Sequence, residues 1–214
     1  MSAMYKTLDD LSSDLSSMGK FPADYYDRMY HKIPNFPVLP SREVWLIERV
    51  KKCTVLHIGC AGPLDVELRK SAKRCYGIDL QNIPGRPDFF RMDVETSGCP
   101  LPDCEGVDTV ILAEILEHLT MPGLLLRKVK EKYSHADIII TVPNAFSRAG
   151  RDKILKGLEH VNSDHTAWFS YKTIHTLLEK CKYQVKSCFW YNASNPRQPW
   201  LAEGLVLVTR AGQA

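Results

Sequence analysis

From residue 53 onward the chain alternates short apolar runs with stretches of helical periodicity. Thr54–Ile58 is apolar and β-branched, and 75–79, 88–92, Val107–Leu112 and Ile138–Val142 repeat that signal, the last stopping at Pro143. Short runs bounded by breakers predict buried strands. Between them, 65–73 reads as a short helix and about 120–132 as a longer one rich in Leu and Lys. Residues 170–181 read as an amphipathic helix with Ile174, Leu177, Leu178 and Cys181 on one face. Two final runs, Tyr183–Phe189 and Gly204–Thr209, flank Asn195-Pro196-Arg197-Gln198-Pro199, which is too rigid for a crossover helix, so they should pair antiparallel. Val/Ile runs separated by helices imply a sheet covered on both faces. The pattern therefore predicts an α/β fold, a doubly wound seven-stranded, mostly parallel sheet with an antiparallel C-terminal hairpin.

The first fifty residues follow another pattern. Residues 3–18 are polar and weakly helical, Tyr25, Tyr26 and Tyr30 cluster, and prolines punctuate Ile33-Pro34-Asn35-Phe36-Pro37-Val38-Leu39-Pro40. Ser41 is a candidate N-cap for a helix over 42–52. We read 1–52 as a helical N-terminal cap or lid and 53–214 as the main domain. The tyrosines would face a bound substrate, or the segment would serve as a homodimer interface.

Composition excludes several classes. At 214 residues, 44% hydrophobic and 25% charged, the chain is an ordinary globular domain. A net charge of +3 does not indicate a nucleic-acid partner. Seven cysteines without a CxxC pair read as reduced thiols of a cytoplasmic protein, not as a disulfide frame or zinc site. The polar N-terminus does not resemble a signal peptide, and no apolar run approaches the ~18–20 residues of a membrane span, so no membrane partner is expected.

Two stretches carry the chemistry. Thr54–Ile58 breaks into the small-residue turn Gly59-Cys60-Ala61-Gly62, and Cys75-Tyr76-Gly77-Ile78-Asp79-Leu80 ends a strand on a carboxylate. Small residues let backbone approach a ligand closely, and a carboxylate at the next strand end accepts hydrogen bonds from a ribose diol. Together they point to a nucleoside cofactor. Arg91-Met92-Asp93-Val94, Ala113-Glu114-Ile115-Leu116-Glu117-His118-Leu119 and Ile140-Thr141-Val142-Pro143-Asn144 follow in order. With the closing hairpin, residues ~53–210 resemble the class I S-adenosylmethionine-dependent methyltransferases of small-molecule type. The resemblance implies a Rossmann-like methyltransferase fold and S-adenosyl-L-methionine as cofactor. It places Gly59, Cys60, Ala61 and Gly62 at the methionine portion, Asp79 on the ribose hydroxyls and Leu80 against the adenine. Asp93 would take the adenine amino group, Val94 would offer a backbone N–H, and Glu114 would lie near the methionine amine. Two positions depart from the family: His57 stands where an acidic residue is usual, and Ala61 replaces a glycine. A non-catalytic cofactor-binding relative is one reading of these departures.

Methyl transfer from a sulfonium requires alignment of the acceptor and, for a hydroxyl, removal of its proton. His165 is the first candidate base, oriented by Asp164 or Glu117, and His118 the second. The principal reading, with no metal, is transfer to the hydroxyl of a small-molecule acceptor. The alternative uses Glu114, Glu117, His118 and His165 as divalent-metal ligands. That pattern resembles the metal-dependent methyltransferases acting on the 2′-hydroxyl at RNA 3′ ends.

Overall fold

A computed structural model describes residues 32–212. Eight strands form one sheet: β1 (Val38–Leu39), β2 (Thr54–Ile58), β3 (Arg74–Asp79), β4 (Phe89–Arg91), β5 (Thr109–Ala113), β6 (Asp137–Pro143), β7 (Tyr183–Tyr191) and β8 (Gly204–Ala211). Their spatial order is β1-β7-β8-β6-β5-β2-β3-β4. All neighbouring pairs are parallel except β6–β8 and β7–β8, so the expected closing hairpin is present. The helices are α1 (Arg42–Arg49), α2 (Pro63–Ser71), α3 (Pro122–Lys132), α4 (Arg148–Ile154) and α5 (Tyr171–Lys180).

Strand periodicity divides the core. Val55, Ile111, Ile139 and Val206 face α1 and α2, where Leu46, Val50 and Leu68 meet them. Leu56, Ile58, Val110, Leu112, Ile138 and Ile140 face the other way, onto Leu125, Leu126 and Val129 of α3 and Ile174 and Leu178 of α5. All five residues of β2 are buried, as a central strand of a two-sided sheet requires. Local signals set the helix starts. Ser41 Oγ accepts from Val44 N at 3.2 Å, and Ser170 and Thr173 form a reciprocal cap on α5.

The eighth strand was not expected. The proline-rich stretch supplies β1, held by Trp190 N donating to Pro37 O (3.0 Å) and Asn192 N donating to Leu39 O (3.1 Å). Prolines are compatible with this position because it is a sheet edge. Residues from Pro34 onward form one compact unit, which holds β1 and α1 together with the sheet. The rest of that segment, including Tyr25, Tyr26 and Tyr30, lies outside the described residues. Among the described residues no helix is long and apolar enough to cross a membrane.

Candidate active site

The carboxyl ends of β2, β3 and β4 present one continuous edge. After β2 the backbone turns at Gly59 with φ +82°, and a Cβ there would lie 2.9 Å from Ile115 Cδ1. Both facts require glycine. Gly59 N donates to Ile78 O at 2.9 Å, tying the bend to β3. Asp79 ends β3 with Oδ2 accepting from Ala61 N (2.8 Å) and Oδ1 accepting from Gln81 N (2.9 Å). The bend and the strand-end carboxylate therefore lie at the same end of the sheet, in direct contact. Leu80 follows with 64% of its surface exposed. Beyond β4, Asp93 is exposed with Oδ1 accepting from Glu95 N, while Val94 is buried and its carbonyl accepts from Lys128 Nζ (2.8 Å).

His57 does not face this edge. It is buried, with Nδ1 3.0 Å from Asp65 Oδ1. Asp65 also accepts two bonds from Arg86, from Nε and Nη2 at 2.8 Å each, and one from Arg69 Nε at 3.1 Å. Burial alone would raise the Asp65 carboxyl, but His57 and Arg86 override it and hold it well below the usual carboxylate range. The Arg86 guanidinium occupies the space of a side chain at Gly77. His57 thus belongs to a buried network, centred on the Asp65–Arg86 ion pair, that pins α2 to the β3–β4 loop.

A cleft of about 700 Å³ opens beside the carboxyl ends of β5 and β6. Glu114 follows β5 in a left-handed backbone conformation, φ +51°. Its Oε1 accepts from Thr141 Oγ1 (2.8 Å) and Tyr191 OH (3.2 Å) and pairs with Arg42 at 3.0 Å. The next residues form a single 3-10 turn, Leu116–His118. Glu117 lines the cleft at 1% exposure, and neither carboxylate oxygen has a hydrogen-bond partner. Burial, and secondarily the charge of Glu114, push its pKa up to about 8. His118 Nδ1 lies 3.0 Å from Asp164 Oδ2, and its ring meets that of His165 edge-on at 4.6 Å. Burial and the neighbouring His118 hold His165 below the usual histidine range. One polar atom from each of Glu117, His118 and His165 falls within 4.8 Å of the others. Thr166 N and Ala167 N both donate to the Glu117 carbonyl, which fixes the distal loop on the turn.

Two expectations are corrected here. Asp164 Oδ2 lies 3.0 Å from His118 Nδ1, so it orients His118 rather than His165. Glu114 does not join the cluster of Glu117, His118 and His165, because Thr141, Tyr191 and Arg42 hold its carboxylate elsewhere.

No protein-family model matches the sequence, and no curated protein matches it. Solved structures do. Small RNA methyltransferase HEN1 superposes with a TM-score of 0.62 at 15% identity, covering 86% of this chain; the chain spans only 27% of that one. Magnesium protoporphyrin IX methyltransferase from Synechocystis PCC 6803, solved with bound S-adenosylhomocysteine, gives a TM-score of 0.54 at 16% identity over 79% of this chain and 80% of that one. A Burkholderia thailandensis 1,6-didemethyltoxoflavin-N1-methyltransferase gives 0.53 at 14% identity, covering 100% and 94%. The fold is that of the class I S-adenosylmethionine-dependent methyltransferases.

On this methyltransferase fold, several site residues had no signal in the sequence. Arg42 comes from α1, ahead of the first central strand, and lines the cleft beneath Glu114. Tyr191 reaches Glu114 from β7, in space that only a glycine at 204 leaves open, since a Cβ there would lie 2.2 Å from the Tyr191 hydroxyl. Ile115 links the Gly59 bend to the turn bearing Glu117. Trp190 is not in the cleft; it packs tilted on Phe36 and anchors β1. Asn144 is consumed structurally, donating to Trp200 O and Ala202 O and accepting from Phe146 N.

Proposed function

We propose that this chain binds S-adenosyl-L-methionine and transfers its methyl group to the hydroxyl of a small-molecule acceptor held in the cleft. The observation that carries this reading is the Glu117 carboxylate, buried and unpartnered beside His118 and His165. A buried carboxylate without partners is costly unless a ligand completes it.

The cofactor would lie along the edge made by the carboxyl ends of β2, β3 and β4. Asp79 retains lone pairs for two ribose hydroxyls, exposed Leu80 offers an apolar surface to the adenine, and Asp93 is open to an exocyclic amine. Glu114 takes its protein partners on Oε1, so Oε2 is the oxygen offered to the cofactor's ammonium. In transfer, a neutral His165 accepts the acceptor's proton while His118, oriented by Asp164, shares the developing charge. The sulfonium supplies the electrophilic methyl group.

The same carboxylate and two imidazoles also fit a borderline divalent cation such as Mn²⁺. When bound there, a cation would supply Lewis-acid polarisation of the hydroxyl. The likeness to the small RNA methyltransferase supports an RNA terminus as the second acceptor reading. Transfer of labelled methyl from S-adenosylmethionine to a panel of phenols, catechols, glycosides and RNA 3′ ends, with and without chelator, distinguishes these readings. His165→Ala should lower transfer by about 100-fold or more with cofactor binding unchanged. Equal transfer by wild type and variant would refute the assigned site.

A further inference from the structure

The wall of the cleft formed by α4 and the loop after it ends in an apolar tip with no partner. Every residue from Arg151 to Asp164 is exposed, and α4 buries none of its own side chains. At its end, Gly157 (φ +70°) turns the chain so that Leu158 N donates to Lys153 O at 3.1 Å. On the two sides of that turn Ile154, Leu155 and Leu158 are 57%, 78% and 53% exposed. Phe146 and Trp168 stand exposed on the segments entering and leaving this wall. Arg148, Arg151, Lys153 and Lys156 surround the tip, against the acids Asp152 and Glu159. Arg151 is tied to Asp152 and Arg148 to Gln198, which leaves Lys153 and Lys156 without an acidic partner among the described residues.

We propose that this tip docks on an anionic lipid surface, Ile154, Leu155 and Leu158 entering the acyl boundary while Lys153 and Lys156 meet lipid phosphates. Aliphatic side chains this exposed are disfavoured in water, and clustered large apolar residues ringed by cations are the chemistry of an interfacial anchor. Single-stranded nucleic acid would call for aromatic stacking faces, and the tip itself, unlike the flanking Phe146 and Trp168, presents only branched aliphatic ones. Because Gly150 of α4 and His160 and Val161 of the loop also line the cleft, the docked cleft would open beside the lipid. An acceptor hydroxyl carried on a lipid would then reach it without leaving the membrane. The docking goes beyond the methyl-transfer reading and stands without it. It also departs from the sequence-based expectation of no membrane partner, which concerned spanning segments.

Sedimentation with phosphatidylcholine vesicles, with and without phosphatidylglycerol, tests this directly. The protein should pellet with the mixed vesicles, less as salt rises, and the Leu155→Glu/Leu158→Glu variant should lose at least ~10-fold in binding. The milder Leu155→Ser change should give a smaller loss in the same direction. Titration of S-adenosylhomocysteine into the variants reports cofactor binding separately, so failure of docking and failure of the methyltransferase reading are distinct results. No pelleting with either vesicle would overturn the proposal. So would pelleting indifferent to Leu155 and Leu158, RNA oligonucleotide binding through Lys153 and Lys156 without lipid binding, or a dimer abolished by the same substitutions.

Discussion

Glu117 concentrates the site's electrostatic cost in one side chain. Its pKa, raised to about 8 by burial, means the folded state holds a proton that the unfolded chain releases near the ordinary value of ~4.3. Between those values the folded form binds more protons, so this group's contribution makes stability fall as pH rises from about 4 to about 8. Glu117→Gln removes that slope. Denaturant unfolding at pH 8 should show the variant more stable by roughly a few kcal/mol. Gly59→Ala is the opposite case: strain at φ +82° together with the Ile115 contact should cost about 1–3 kcal/mol in denaturant unfolding. That Gly59 bends the chain and Asp79 ends a strand was legible because small residues and a strand-end acid announce themselves locally. The Glu117 cluster was legible only in part. Sequence spacing brought Glu117 and His118 together, but it could not show that Thr141, Tyr191 and Arg42 turn Glu114 away.

At the scale of elements, the ion network behind the bend does mechanical work. Arg86 lies against Gly77, binds both oxygens of Asp65 and reaches the Pro87 and Asp88 carbonyls, so one guanidinium joins β3, α2 and the loop before β4. Gly77→Ala would displace it and strand a buried carboxylate; thermal or denaturant unfolding should show a loss of about 3–5 kcal/mol. Because Asp65 sits below its unfolded value, the network's stabilisation is complete above about pH 4 and is lost as pH falls further. Most strands and helices follow from hydrophobic period alone. The exceptions have physical reasons. β1 is two residues long and set among prolines, which mask a strand unless it lies at an edge. In α4 three basic residues and no buried side chain leave no amphipathic signal, and only the Ser147 cap marks it.

For the molecule as a whole, the sheet brings two chemistries to one edge. The Gly59 bend and Asp79 sit on one side, the Glu117 cluster on the other, and Ile115 touches between them. The expected parallel sheet and closing hairpin account for this placement, since parallel strands direct their carboxyl ends the same way. Distant partners such as Arg42 and Tyr191 become neighbours only through the complete topology, which is why no local pattern revealed them. The most direct test is calorimetric titration of S-adenosylhomocysteine into the wild-type chain and Asp79→Ala. We expect one site per chain, weakened by about 10-fold or more in the variant, with only about 1–2 kcal/mol of folding stability lost with the Ala61 and Gln81 bonds. Absence of binding by the folded wild-type chain, or equal affinity in the two proteins, would contradict the account.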